Sequence, residues 1–128
     1  MFADTKAFTG FSVDDIEIAK KFYGDTLGIR VSEAGMGNVA LHLAGGNDVL
    51  IYPKDNHVPA TFTILNFEVA DIDKAIDQLV ERGVTIERYD GMAQDEKGVM
   101  RGLEHDMGPN IAWFTDPAGN VLSVLQSE

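Results

Sequence analysis

The sequence predicts an α+β fold built from two tandem βαβββ modules. Three observations carry that expectation. Residues 13 to 28 and 69 to 83 nearly repeat: Val13-Asp14-Asp15-Ile16 with Ala19 and Gly28, then Val69-Ala70-Asp71-Ile72 with Ala75 and Gly83. Around each copy, one stretch of helical period stands among short runs of strand character. The 128 residues, 45% hydrophobic, suffice for one core, whereas each copy alone is too small to bury both faces of a sheet. Function is therefore expected where the copies meet. The offset between them is 56 residues at the valines and 55 at the glycines, so one residue is gained or lost across the shared helix.

Each element follows from period and punctuation. Ala7 to Val13 reads as a strand, Asp14 and Asp15 can cap a helix, and Ile16, Ala19, Phe22, Tyr23 and Leu27 recur at helical spacing until Gly28. Ile29 to Ser32, Val39 to Leu43 and Val49 to Tyr52 read as three short strands separated by glycine turns. Phe62 to Val69 opens the second module as a strand. Asp71 starts its helix, with Ile72, Ala75, Ile76 and Leu79 inward, and Gly83 ends it. Val84 to Arg88, Ile111 to Thr115 and Val121 to Leu125 complete the second βαβββ. The whole chain, 1–128, reads as a single domain, with module 1 at 5–53, a polar linker at 54–60 and module 2 at 61–126. Between Tyr89 and Asn110 lies a long segment rich in glycine, read either as a disordered or loosely packed connector, with room for an extra strand at Gly98 to Leu103, or as a lid.

Composition excludes several classes. A formal net charge of -11 and the lack of a Lys/Arg cluster argue against a nucleic-acid partner, because such affinity depends on clustered cations neutralising phosphates. With no cysteine there is neither a disulfide framework nor thiolate chemistry. Met1 to Lys6 lacks a signal-peptide pattern and no apolar run approaches membrane-spanning length, which predicts a cytoplasmic protein with no membrane partner.

The repeated Val-x-Asp-Ile helix entry, Phe22-Tyr23 followed by Leu27-Gly28, and Phe114-Thr115-Asp116-Pro117-Ala118-Gly119-Asn120-Val121-Leu122 carry a family resemblance. The chain resembles the vicinal oxygen chelate superfamily of glyoxalases, bleomycin-resistance proteins, fosfomycin-resistance proteins and extradiol dioxygenases. The resemblance implies a curved, cup-like mixed β-sheet, often completed within a dimer, so a homodimer is expected. It does not by itself assign a function, which depends on the site placed on the fold. Asp116 is read as a turn residue, and Asp15 and Asp71 as helix-start residues, not as acids.

Metal-dependent members of that superfamily hold a divalent ion with four side chains from the first and last strands of each module. The resemblance places the first-strand positions five residues before Val13 and Val69, at Phe8 and Ile64. The last-strand positions fall at Ser123, seven after Asp116, and at Ile51, its partner at an offset of 72. Three of these side chains have no lone-pair donor and a serine hydroxyl is a poor ligand by itself. No metal and no other cofactor are therefore expected, and metal-assisted chemistry is not. His42, His57 and His105 show no short ligand spacing.

What the cup would then present is a mixed small-molecule pocket. Phe8, Ile51, Ile64 and Val121 form an apolar wall, and Ser12, Asn66, Glu68 and Ser123 are polar points. Trp113 and Phe114 face opposite ways on one strand, one toward the cup and the other beneath a helix. Pairing Phe114 with His42 between the modules predicts a shared environment for those two. Catalytic residues are not identified beyond Glu68, which must be solvated at a rim, paired with Arg88 or Arg101, or used as an acid, base or cation anchor. Two readings result. One is a metal-free protein that binds a small organic ligand, in the manner of bleomycin-resistance proteins. The other is a glyoxalase-like lyase or isomerase with a relocated metal site or a general base at Glu68 or a histidine.

Overall fold

The computed structural model describes residues 1–128, which divide into two compact units, Met1–Pro59 and Ala60–Glu128. Unit 1 contains β1 (Thr9–Val13), α1 (Ile16–Lys21) running into a π-helical turn (Phe22–Thr26), β2 (Arg30–Glu33), β3 (Val39–His42) and β4 (Asp48–Pro53). Its four strands lie in the order β1-β4-β3-β2, with β1 parallel to β4 and the other pairs antiparallel. Asp15 starts α1 through Oδ1, which accepts from the backbone N–H groups of Glu17 and Ile18 at 3.1 Å each.

The π-helical turn explains the one-residue difference between the copies. From Val13 to Gly28 the first copy is one residue longer than the second from Val69 to Gly83. A π turn closes over five residues instead of four, so it stores one extra residue while leaving both helix ends in place. The Leu27 N–H accordingly donates to the Phe22 carbonyl at 2.9 Å, and Gly28 leaves the helix at φ 71°. The second copy needs no such turn, and its helix is regular.

The register in unit 1 sorts the side chains onto two faces. Phe11, Val13, Val39, Leu41, Val49 and Ile51 share one face by alternation and strand pairing. All of these but the half-buried Phe11 are buried, and the Phe11 ring meets the helical Tyr23 ring at 5.9 Å, so this is the face that α1 covers. The other face carries Gly10, Ser12, Arg30, Ser32, Ala40, His42, Asp48, Leu50 and Tyr52.

Unit 2 repeats the plan with β5 (Thr63–Glu68), α2 (Ile72–Glu81), β6 (Met100–Arg101), a 3₁₀ segment (Gly102–His105), β7 (Asn110–Thr115) and β8 (Val121–Gln126), in the sheet order β5-β8-β7-β6. Asp71 caps α2 by accepting from the Lys74 N–H at 3.1 Å. The Gln126 side chain accepts from the Ile72 N–H at 2.9 Å, which docks the start of α2 onto β8. Ile72, Ile76 and Leu79 are buried from the helix, and Ala112, Phe114, Leu122 and Val124 from the sheet. No helix is long and apolar enough to cross a membrane.

Two expectations are corrected in unit 2. Val84 to Arg88 is not a strand; its link to the sheet is one backbone bond from the Glu87 N–H to the Trp113 carbonyl at 2.8 Å. The Gln94 side chain takes over what a ladder would have done. It accepts from the Tyr89 N–H and donates to the carbonyls of Glu87 and Gly98. The fourth strand is instead the two-residue β6, inside the stretch that the sequence offered as an extra strand. The long segment is also well tied. Asp95 Oδ1 accepts from the N–H groups of Lys97 and Val99 at 2.9 Å each, and Arg88 donates to the carbonyls of Asp95 and Glu96.

Candidate functional site

The face of the unit 2 sheet opposite α2 gathers most of the expected site residues in that module. Strand pairing puts Asn66 beside Ser123 and Ser123 beside Trp113, all on one face. Ser123 Oγ donates to Asn66 Oδ1 at 2.6 Å, and the Trp113 indole N–H donates to Thr63 Oγ at 3.1 Å. Trp113 therefore faces away from α2, and Phe114, fully buried, packs beneath the helix. Ile64 sits at a register shift between Thr63 and Leu65, so alternation there is interrupted. Glu68 lies further along the same face and is exposed. Neither arginine pairs with it: Arg88 is spent on backbone carbonyls and Arg101 on Asp73 and Asp95.

Tyr89 was not singled out by the sequence and belongs with this group. Its ring meets Trp113 edge-on, with centroids 5.7 Å apart. Burial, followed by the negative charge of Glu87, raises the Tyr89 pKa, so its hydroxyl stays protonated at neutral pH. The signal was available only indirectly, because Tyr89 reaches Trp113 from a segment that carries no regular period. Beside α2, and not on this face, an open groove of about 520 Å³ is lined by Ile76, Val80, Val84, Ile86, Arg88 and Lys97. It holds none of Asn66, Glu68, Tyr89, Trp113 and Ser123.

In unit 1 the placement of Ile51 corrects the expectation. Ile51 is fully buried on the face that α1 covers, opposite to Ser12. Counted back from Val13 and Val69, Gly10 and Asn66 are equivalent. Gly10 pairs with Leu50 and Asn66 with Ser123. The counterpart of Ser123 is thus Leu50, on the face away from α1, and the offset is 73. A one-residue slip moves a side chain to the other face of a strand. Phe8 precedes β1 and is 76% exposed, and Ser12 is half-buried with its Oγ 2.6 Å from His57 Nδ1. Nor do His42 and Phe114 share an environment, since His42 is exposed and Phe114 is not.

The donor set does not suit a metal. Phe8, Ile64 and Leu50 have no donor atoms, the Ser123 hydroxyl is committed to Asn66, and no three His, Cys, Asp or Glu side chains converge anywhere in the chain.

Asp116 has a structural task. It is 3% exposed; Oδ1 accepts from the N–H groups of Ala118 and Asn120, and Oδ2 accepts from the Asn120 side-chain amide at 3.0 Å. Gly119, at φ 86°, completes this turn between β7 and β8.

The family model of the Glyoxalase/Bleomycin resistance protein/Dioxygenase superfamily matches residues 7–124. The chain belongs to this superfamily. Solved structures of similar fold include a glyoxalase/dioxygenase from Nostoc punctiforme, with TM-score 0.69 and 15% identity over 99% of this chain and 94% of that one. A superfamily member from Sphaerobacter thermophilus matches with TM-score 0.67 and 25% identity over 95% and 98%. TnmS3, an antibiotic binding protein from a Streptomyces species, matches with TM-score 0.67 and 22% identity over 98% of each chain. No curated protein matches the chain. The two βαβββ units are the frame that this chain has in common with glyoxalase-fold structures.

Proposed function

We propose that this superfamily member binds a small organic molecule without a metal and without transforming it. The observation that carries the reading is the face on which the half-buried Trp113 and Tyr89 meet edge-on beside the exposed Asn66, whose side chain the buried Ser123 hydroxyl holds from behind: an aromatic pair next to a fixed polar group, the composition of a site that orients a ligand by few polar contacts. Glu68, exposed on the same face, supplies an anionic point, and the net charge of -11 favours a cationic ligand approaching by electrostatic steering. A planar ring carrying a basic group suits both features. TnmS3, an antibiotic binding protein of the same fold, supports the reading of a small organic ligand. The homodimer and the cytoplasmic location implied by the sequence belong to the same proposal.

Trp113 is the chain's one tryptophan, so its emission reports directly on this face. The test is titration with bleomycin and a panel of aromatic cationic antibiotics, with and without chelator, followed by chemical analysis of the recovered ligand. Saturable quenching, unaffected by chelator, with the ligand recovered intact is the expected result. A ligand recovered chemically altered, or binding that requires added divalent metal, would overturn the reading.

A further inference from the structure

On the face of unit 1 away from α1, three side chains form a hydrogen-bonded series across three strands. Ser32 Oγ lies 2.7 Å from His42 Nε2, and His42 Nδ1 lies 2.9 Å from Asp48 Oδ1. The order of protons is dictated by chemistry. An ionised carboxylate can only accept, so Nδ1 carries the imidazole hydrogen and donates it to Asp48. In the neutral ring Nε2 then holds a lone pair, and the Ser32 hydroxyl must donate to it. That is the arrangement of a nucleophile, a general base and a group that fixes the base's tautomer.

The fold holds these three in place from separate directions. Asp48 is the direct cross-strand partner of His42 in the β3–β4 hairpin, whose turn runs through Gly45 and Gly46 at φ 97° and 84°. Ser32 reaches His42 diagonally from β2, where Arg30 is the residue directly opposite His42. Arg30 and Ser32 are two apart on one strand and so share a face, which puts a cationic residue on the serine's side of the sheet. All four residues are exposed, as a nucleophile and its substrate require.

We propose that Ser32, His42 and Asp48, all within unit 1, form an acyl-transfer site that hydrolyses small activated esters. Ser32 Oγ attacks the ester carbonyl carbon while His42 Nε2 takes the hydroxyl proton. Arg30 stabilises the oxyanion that forms. The carbon–oxygen bond to the alcohol breaks, and His42 returns the proton to the departing oxygen. Water then attacks the acyl-serine with His42 again as base. The free acid leaves and Ser32 regains its proton.

The probe is p-nitrophenyl acetate, with release of nitrophenolate followed against time and the protein analysed by intact mass and peptide mapping. The expected result is one acetyl group on Ser32 and turnover that falls at least about 10-fold in Ser32→Ala and in Asp48→Asn, the latter because the wrong tautomer is then held. Arg30→Gln is expected to slow acylation while Ser32 remains the labelled residue. Circular dichroism and urea midpoints of the variants separate lost chemistry from lost folding. Acetyl groups absent from Ser32, or turnover in a folded Ser32→Ala equal to that of the parent, would overturn the proposal, since a lone surface imidazole would then account for the rate.

Discussion

The guanidinium of Arg101 donates to both carboxylate oxygens of Asp73, at 3.1 and 2.7 Å, and so fastens β6 to the first turn of α2. The same arginine donates through Nε to Asp95 Oδ2 at 2.8 Å, and Lys97 reaches Asp73 and Asp77 at 3.3 and 3.1 Å. One cation thus joins a helix, a strand and the intervening loop. This anchorage is why the glycine-rich segment before β7 is structured along the side of α2. Replacing Arg101 by Met keeps the stem's packing and removes the charge. Because Asp73 is partly solvent-exposed, screening limits the loss to about 1 kcal/mol, read as a lower urea midpoint. Hydrogen exchange at Val99 and Arg101 should rise more than exchange in β8.

Acid should release the same clamp. Arg101, helped by Lys97 and against the effect of burial, holds the Asp73 carboxyl down from 3.8 to about 2. Burial pushes Asp95 upward, but the N–H groups of Val99 and Lys97 and the charge of Arg101 outweigh it and leave it low. A carboxyl depressed in the folded state stabilises the protein above its unfolded pKa and loses that contribution as pH falls through the folded one. Stability should therefore decline between about pH 4 and pH 2, more gently in Arg101→Met, as followed by urea unfolding at stepped pH. Equal slopes in both proteins would refute this account.

Asp116 should matter for folding. Asp116→Ala removes the acceptor of the part-buried Ala118 N–H, the buried Asn120 N–H and the Asn120 side-chain amide, a loss of about 2–3 kcal/mol. Asp116→Asn keeps one acceptor oxygen for the backbone pair and should cost clearly less. Thermal unfolding of the two variants side by side decides this.

The face assignment in β4 yields a paired comparison. Ile51→Ala opens a cavity against α1 and should destabilise by about 2–4 kcal/mol. Leu50→Ala, at a half-buried position on the other face, should cost about 1 kcal/mol or less. If the two losses were equal, the register of β1 on β4 would have to be redrawn.

Trp113 and Tyr89 make the last prediction. Tyr89→Ala removes the edge of an aromatic pair, worth about 0.5–1.5 kcal/mol beyond area, and uncovers the indole. The Trp113 emission should shift to the red in that variant, and an unchanged emission maximum would contradict the pairing.

Periodicity found the helices because α1 and α2 bury one stripe each, and the caps Asp15 and Asp71 were legible from their place between a strand and that stripe. The one-residue offset between the copies was visible too, but its resolution as a π turn was not. That depends on which carbonyl the Leu27 N–H finds. Tyr89 escaped notice because its segment is ordered by the Gln94 side chain, and a side chain bonding to backbone leaves no period in the sequence.

The sequence by itself determined the tandem βαβββ plan and the turn at Asp116, because alternation, helical spacing and turn chemistry are local properties. Only the tertiary structure decided that Trp113 and not Phe114 faces away from the helix, that Leu50 and not Ile51 occupies the position in unit 1 equivalent to Ser123, and that Ser32, His42 and Asp48 stand in line. Each of those depends on strand register and on which face a helix covers. Alternation specifies two faces without naming them, and a shift of one residue exchanges them.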